Sequence, residues 1–207
     1  MDEIVAAALK KWPNVPHCYA WLALDARGDW YMRDARIQAA GAFPRVKGSR
    51  IDHEKLREFI GRNYASDPDG AWFFQNGPQR VYVELEAAPW VWRLQPDPTS
   101  SVVVTSHTGV PAAPSGEAFV DEGGRLFLAC DLGIGIVHTL DMQAASDVVE
   151  RGVWRPREIA FDALVERYGV RLSPAAAHAL AAAQKKRPSG RFSLRANAAT
   201  SMRRPCR

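Results

Sequence analysis

Residues 70–94, GAWFFQNGPQRVYVELEAAPWVWRL, decide the fold class. The run opens on Trp72, Phe73 and Phe74 and turns at Gln75-Asn76-Gly77-Pro78-Gln79. Asn and Gly both tolerate positive φ, and the following Pro78 points to a loop longer than two residues. Val81, Val83 and Leu85 then alternate with Tyr82, Glu84 and Glu86. A period of two puts the aliphatic set on one face of a strand and the polar set on the other. Pro89 interrupts the ladder, and beyond it Trp90, Trp92 and Leu94 alternate with Val91 and Arg93. Three strands of one antiparallel sheet are predicted.

Working outward, Tyr19–Leu24 and Trp30–Arg33 read as a hairpin, and residues 34–48 as an irregular loop carrying Arg45 and Lys47, with Arg50 just beyond. Asp52–Tyr64 reads as a helix with the apolar stripe Leu56, Phe59, Ile60 and Tyr64. Further strands are expected at Ser101–Thr105, Glu117–Val120, Arg125–Cys130 and Ile134–Val137. Helices follow at Met142–Glu150, Glu158–Tyr168 and from Ser173-Pro174 to Lys186. The pattern describes an α+β fold. An antiparallel sheet built from two or three hairpin modules is packed with helices and followed by a helical C-terminal part. The expected organisation is a module over 1–94, a second over 99–187 packed on the first, and a basic, poorly ordered tail over 188–207.

Three stretches share one plan: AWLALDARGDWYM at 20–32, AWFFQNGPQRVYV at 71–83 and EAFVDEGGRLFLA at 117–129. The last two align through Gly70 with Gly116, Phe73 with Phe119 and Gly77 with Gly123. A duplicated sheet unit is one reading, and the shared grammar of all hairpins is the other.

Composition narrows the function classes. The 207 residues are 47% hydrophobic and 24% charged, as in ordinary globular proteins. Six of the seven Trp lie before residue 95, which points to an aromatic core or a recognition surface. No apolar run reaches the roughly 18 residues of a membrane helix, and the acidic start MDEIVAAALKKW does not read as a secretory signal. Three Cys without a Cys-x-x-Cys pair disfavour a disulfide scaffold, so the cytoplasm is expected. The formal charge of +4 divides unevenly: residues 1–183 carry a net −4, whereas 184–207 hold eight Lys/Arg and no acid. An acidic body does not suit duplex DNA, so nucleic acid is expected only through the tail.

The chemistry-bearing residues are dispersed. His17, Glu84, Glu86 and His138 are the candidates for acid–base catalysis; Glu84 and Glu86 would sit roughly 6–7 Å apart on one strand face. Asp131, His138 and Asp141, near Cys130, are the candidate metal ligands, yet no second His or Cys completes a set. Arg80, Tyr82, Trp90, Trp92 and Arg93 form the candidate ligand-binding set, able to stack on a planar group, with core packing as the competing role of both Trp. Cys130 alternates with Leu126 and Leu128 and reads as core. Gly123-Gly124 and Gly133-Ile134-Gly135 lack the context of a phosphate loop, and no cofactor is expected.

The runs WPNVPHCYAWLALDARGDWYMRD at 12–34, KGSRIDHEKLREFIGRNYASD at 47–67 and WFFQNGPQRVYVELEAAPWVWRL at 72–94 resemble a family of uncharacterised proteobacterial proteins, a conserved domain of unknown function. The resemblance covers most of residues 10–150, implies a soluble bacterial protein and carries over no catalytic residue. The functional expectation is a non-enzymatic protein that binds a small molecule or a protein partner. The alternatives are a small hydrolase with a carboxylate/His site and a nucleic-acid-associated regulator acting through the tail.

Overall fold

The computed structural model describes residues 1–97 and 101–186. The expected basic tail at 188–207 lies outside the described residues. The first part runs α1 (Glu3–Lys11), β1 (Cys18–Leu24), β2 (Trp30–Met32), α2 (Ala35–Ala40), β3 (Ser49–Arg50), α3 (Glu54–Arg62), β4 (Tyr64–Ser66), β5 (Trp72–Asn76) and β6 (Gln79–Leu85). The second runs β7 (Trp90–Asp97), β8 (Ser101–Ser106), β9 (Pro111–Ala112), β10 (Pro114–Val120), β11 (Leu126–Cys130) and β12 (Gly133–Val137). A 3-10 turn at Thr139–Asp141 leads to α4 (Met142–Glu150), β13 (Arg157–Glu158), α5 (Phe161–Arg167) and α6 (Pro174–Lys186). The α+β expectation holds, with hairpin-built sheets and a helical C-terminal region. Two local readings change. Residues 35–40 of the expected loop are helical, and Arg157–Glu158 pair with β10 before α5 begins.

The strands form two sheets, ordered β3-β2-β1-β6-β5-β4 and β13-β10-β11-β12-β7-β8-β9. Read from β9, the second sheet repeats the first strand for strand, with β13 added at one edge. In both, two antiparallel meanders are joined by one parallel pair, β1 with β6 and β7 with β12. The expected three-stranded run 72–94 is therefore divided. β5 and β6 pair with each other in the first sheet, whereas β7 pairs with β8 and β12 in the second. Alternation fixes which face a strand buries but not which neighbour it pairs with.

The topology also shifts the register of the sequence similarity by one strand. Its counterpart of the β4–β5 turn at 67–71 is the β10–β11 turn at 121–125. Both are built alike, as is the β1–β2 turn at 25–29. Asp25, Asp67 and Asp121 each accept, through Oδ1, the N–H groups two and four residues on, at 2.8–3.0 Å. The third residue on is a glycine at positive φ: Gly28 at +83°, Gly70 at +76° and Gly124 at +72°. An aspartate that satisfies its own turn and a glycine free to adopt the left-handed region account for the spacing Asp-x-x-Gly.

Each sheet buries both faces. In the first, Leu22, Leu24, Phe74, Val83 and Leu85 meet Ile60 of α3 on one side, while Phe73 and Tyr82 face the other. In the second, Trp90, Trp92, Leu128 and Cys130 pack with Val148 of α4, and Val91, Phe127 and Ile136 with Leu164 of α5. The sheets meet at an aromatic cluster in which Tyr64 touches Trp30, Trp72, Trp90 and His107, with ring centroids 4.7–6.1 Å apart. Among the described residues no helix is long and apolar enough to cross a membrane.

Candidate functional site

The polar face of β6 is not left to solvent. α6 lies across it. Glu84 is 6% exposed and holds the start of that helix: Ser173 Oγ lies 2.5 Å from its Oε2, and the Ala175 N–H donates to Oε1 at 3.1 Å. A carboxylate is favourable at a helix N-terminus, where backbone donors are otherwise unsatisfied. Burial nevertheless raises the Glu84 pKa above its ordinary value, outweighing those two hydrogen bonds. The folded protein thus holds the Glu84 proton more tightly than the unfolded chain, so its contribution is complete below the unfolded pKa and is lost as pH rises through the folded one. Glu84→Gln is expected to keep the helix anchored and to remove this loss. Urea midpoints of the two proteins from pH 4 to 8 check it; parallel curves would show that the carboxylate does not titrate differently on folding.

One turn further along α6, the His178 ring stacks on Tyr19 at 4.2 Å and 14°, and Tyr19 stacks on Tyr82 at 4.7 Å and 4°. His17 meets Tyr82 edge-on at 5.7 Å. Tyr19 reaches this position because β1 is bulged. Cys18 pairs with Val81 and Leu22 with Val83, so four residue steps on β1 span two on β6. Ala20 absorbs the irregularity at φ +64°, the only non-glycine residue at positive φ among those described. β10 shows the same excess between Pro114 and Ala118, but there Gly116 occupies the positive-φ position. An L-residue in the left-handed region costs about 1–2 kcal/mol, so the β1 bulge carries strain that a glycine would relieve.

Beneath α6 the bulge borders a cavity of about 340 Å³, lined by Tyr19, Tyr82, Asp67, Asp69, Arg171 and His178 together with small residues that include Ala71 and, from α6, Ala177. Tyr82 donates to Asp67 Oδ2 at 3.0 Å. Burial first, and the Asp67 carboxylate next, raise the pKa of Tyr19; burial also raises that of Tyr82, so both phenols stay protonated at neutral pH. Arg171 is placed from its backbone. Its N–H donates to Gly70 O at 3.0 Å, it bridges to Ala71, and its Nε donates to Asp69 O at 3.3 Å. The cavity combines a stacked aromatic wall with groups of both charges, and can recognise a small polar ligand by shape, stacking and hydrogen bonds.

The residues named from sequence fall in several places. Tyr82 lines this cavity, and His17 contacts Tyr82. Arg80 covers the Phe73 ring at 4.4 Å. Glu86 does not join Glu84. It accepts the Ala26 N–H and pairs with Lys47 at 3.1 Å, beside the ion pair that Lys47 makes with the buried Asp25 at 2.8 Å. Burial works against ionised Asp25, but Lys47 and the turn N–H groups outweigh it and lower its pKa. Trp90 and Trp92 are core residues whose indole N–H groups donate to Leu132 O and Leu128 O, both at 2.8 Å. They form no exposed stacking platform. Arg93 binds Asp141 with two hydrogen bonds, at 2.6 and 3.2 Å. His138 Nδ1 accepts the Leu140 N–H at 3.0 Å and caps the 3-10 turn. Asp131 Oδ1 accepts the Ala113 and Leu132 N–H groups. Asp131 and Asp141 flank opposite ends of β12, and among the described residues no three His, Cys, Asp or Glu side chains converge as a metal site. Cys130 is buried, and burial pushes its thiol up to about 12.

Sequence reasoning missed Tyr19, Asp67, Asp69, Arg171 and His178. The one local signal was His178, a lone imidazole in the alanine-rich helix PAAAHALAAAQKK.

No curated protein matches the chain. Two solved structures resemble it weakly. A DUF1285 family protein from Silicibacter pomeroyi DSS-3 has a TM-score of 0.48 and 13% identity, over 72% of this chain and 85% of that one. Another from Shewanella baltica OS155 has a TM-score of 0.43 and 15% identity, over 61% and 91%. Residues 1–191 match the family described as "Protein of unknown function (DUF2946)", and the chain belongs to that family.

Proposed function

We propose that the chain is a non-enzymatic binding or accessory protein of the bacterial cytoplasm, and that it takes a small molecule in the cavity between the first sheet and α6. The observation that carries this reading is the β1 bulge. It holds Ala20 in a conformation costly for alanine, and it is where Tyr19 stacks between Tyr82 and His178 at the cavity wall. Strain maintained beside a concave polar site fits a binding role. A hydrolase reading draws less support. Glu84 is committed to α6, Glu86 to Lys47 and His138 to a helix cap, and His138 directly follows β12 of the second sheet whereas His17 contacts Tyr82 of the first.

The test is to fill the cavity. Ala177 lines it from α6, and Ala177→Trp is expected to occlude it. A small-fragment library screened by NMR should give binders that shift the Tyr82 and Ala71 resonances, and these binders should be lost in Ala177→Trp with the rest of the spectrum unchanged. Binders that map elsewhere, or that survive the substitution, would refute the site.

A further inference from the structure

Three exposed groups that line this cavity make no side-chain hydrogen bond or ion pair to another charged group among the described residues. Asp67 is fully engaged, with Oδ1 taking two N–H groups and Oδ2 the Tyr82 hydroxyl. The Asp69 carboxylate, by contrast, makes no hydrogen bond or ion pair among the described residues. The same is true of the Arg171 Nη atoms and of the His178 ring nitrogens. Asp69 and Arg171 are nevertheless backbone neighbours. Arg171 N–H donates to Gly70 O, and Arg171 Nε is anchored on Asp69 O. That anchor fixes the side of the guanidinium already bonded and leaves its other edge, the carboxylate-binding fork, unused. The Asp69 turn is fixed in the same way, because Asp67 takes the Asp69 N–H at 3.0 Å. The two opposite charges line one cavity without pairing with each other, an arrangement that matches a ligand carrying both.

Resting on the binding reading above, we propose that the cavity takes a small zwitterion of the α-amino acid type. The ligand carboxylate meets the free edge of Arg171 and its ammonium meets Asp69. Its side chain lies against the Tyr19–His178 stack and the small residues Ala71, Ala177 and Pro174. An apolar or aromatic side chain is favoured there, because Ala71, Ala177 and Pro174 offer no polar side-chain group to satisfy. A simple carboxylate leaves Asp69 unpaired and a simple amine leaves Arg171 unpaired, so either fragment forfeits one charge-assisted contact.

The experiment titrates the full chain by NMR with the standard α-amino acids, and with phenethylamine and 3-phenylpropionate as single-charge analogues of phenylalanine. At least one apolar or aromatic amino acid is expected to bind about tenfold more tightly than the matched amine or acid. Arg171→Gln should reduce that amino acid to the level of the amine, and Asp69→Asn to the level of the acid. Equal binding of an amino acid and its analogues, or indifference to both substitutions, would overturn the proposal. If no amino acid shifts the cavity resonances while fragments still bind and are lost in Ala177→Trp, the zwitterion assignment fails and the site stands. If binding of every probe survives Ala177→Trp, the site fails as well.

Discussion

Replacing Gly70 by alanine is expected to destabilise the protein by about 3–5 kcal/mol and to abolish the α6 cavity. Two penalties combine. Gly70 sits at φ +76°, where a side chain is strained, and a Cβ there would overlap the carbonyl oxygen of Gly169. The second is the more severe, because the obstacle is backbone. The 169–171 segment would have to lift away, taking the Arg171 N–H from Gly70 O and the Arg171 side chain from Asp69. Gly124 supplies the control. It occupies the same position of an equivalent turn at φ +72°, but a Cβ there meets nothing within 4 Å. Gly124→Ala should therefore cost only the conformational part, about 1–2 kcal/mol. Urea denaturation of both variants separates the two contributions, and equal losses would show that the contact with Gly169 does not constrain the fold.

Acid is expected to weaken the join between the two sheets through His107. The 106–110 turn inserts this imidazole among Trp30, Tyr64 and Trp90, at 5.6, 6.1 and 5.9 Å. His107 Nδ1 accepts the Val91 N–H at 3.3 Å, and its Nε2 is shut off from solvent without a hydrogen-bond partner among the described residues. Protonation would set a second donor against the Val91 N–H and place a charge in an apolar socket. Burial accordingly lowers the His107 pKa to about 3. The sign follows: the unfolded chain binds this proton below about pH 6.5, the folded protein does not until about pH 3, and stability falls as pH drops across that interval. The full effect is about 3–5 kcal/mol at the acid end. His107→Asn keeps an acceptor for Val91 and cannot titrate. Its unfolding free energy should start lower at pH 7.5 and decline less steeply toward pH 4. A wild-type slope that survives the substitution would assign the acid sensitivity to another group.

Much of the local structure was legible. The alternation of Val81, Val83 and Leu85 with Tyr82 and Glu84 put the right residues on the right faces of β6, and Ser173-Pro174 marked the start of α6. Sheet membership was not legible. Trp90–Leu94 have the pattern of a strand following β6, but the parallel pairs that place β6 on β1 and β7 on β12 join residues far apart in sequence. The cavity was hidden for the same reason. Asp69 and Arg171 come together through a contact that only the absence of a Cβ at Gly70 permits, and nothing local to Glu84 announces that α6 will cover the polar face of β6. The aspartate–glycine spacing at 25–28, 67–70 and 121–124 was in plain view, and it would have aligned the second and third turns correctly.

The shared strand order also dictates a sequence of events. In each sheet the first strand made waits for one made three or more strands later: Leu24 finds its parallel neighbour only when Leu85 has been synthesised, and Trp92 only when Val137 has. The meanders can zip as they emerge from the ribosome, whereas each parallel seam must close a long stretch of chain and forms late. The first seam spans more chain than the second, yet all of its residues precede the second sheet, so it can close first. Until His107 emerges and docks, the nascent first half presents the aromatic edge of Trp30, Tyr64 and Trp72 uncovered, an aggregation-prone surface.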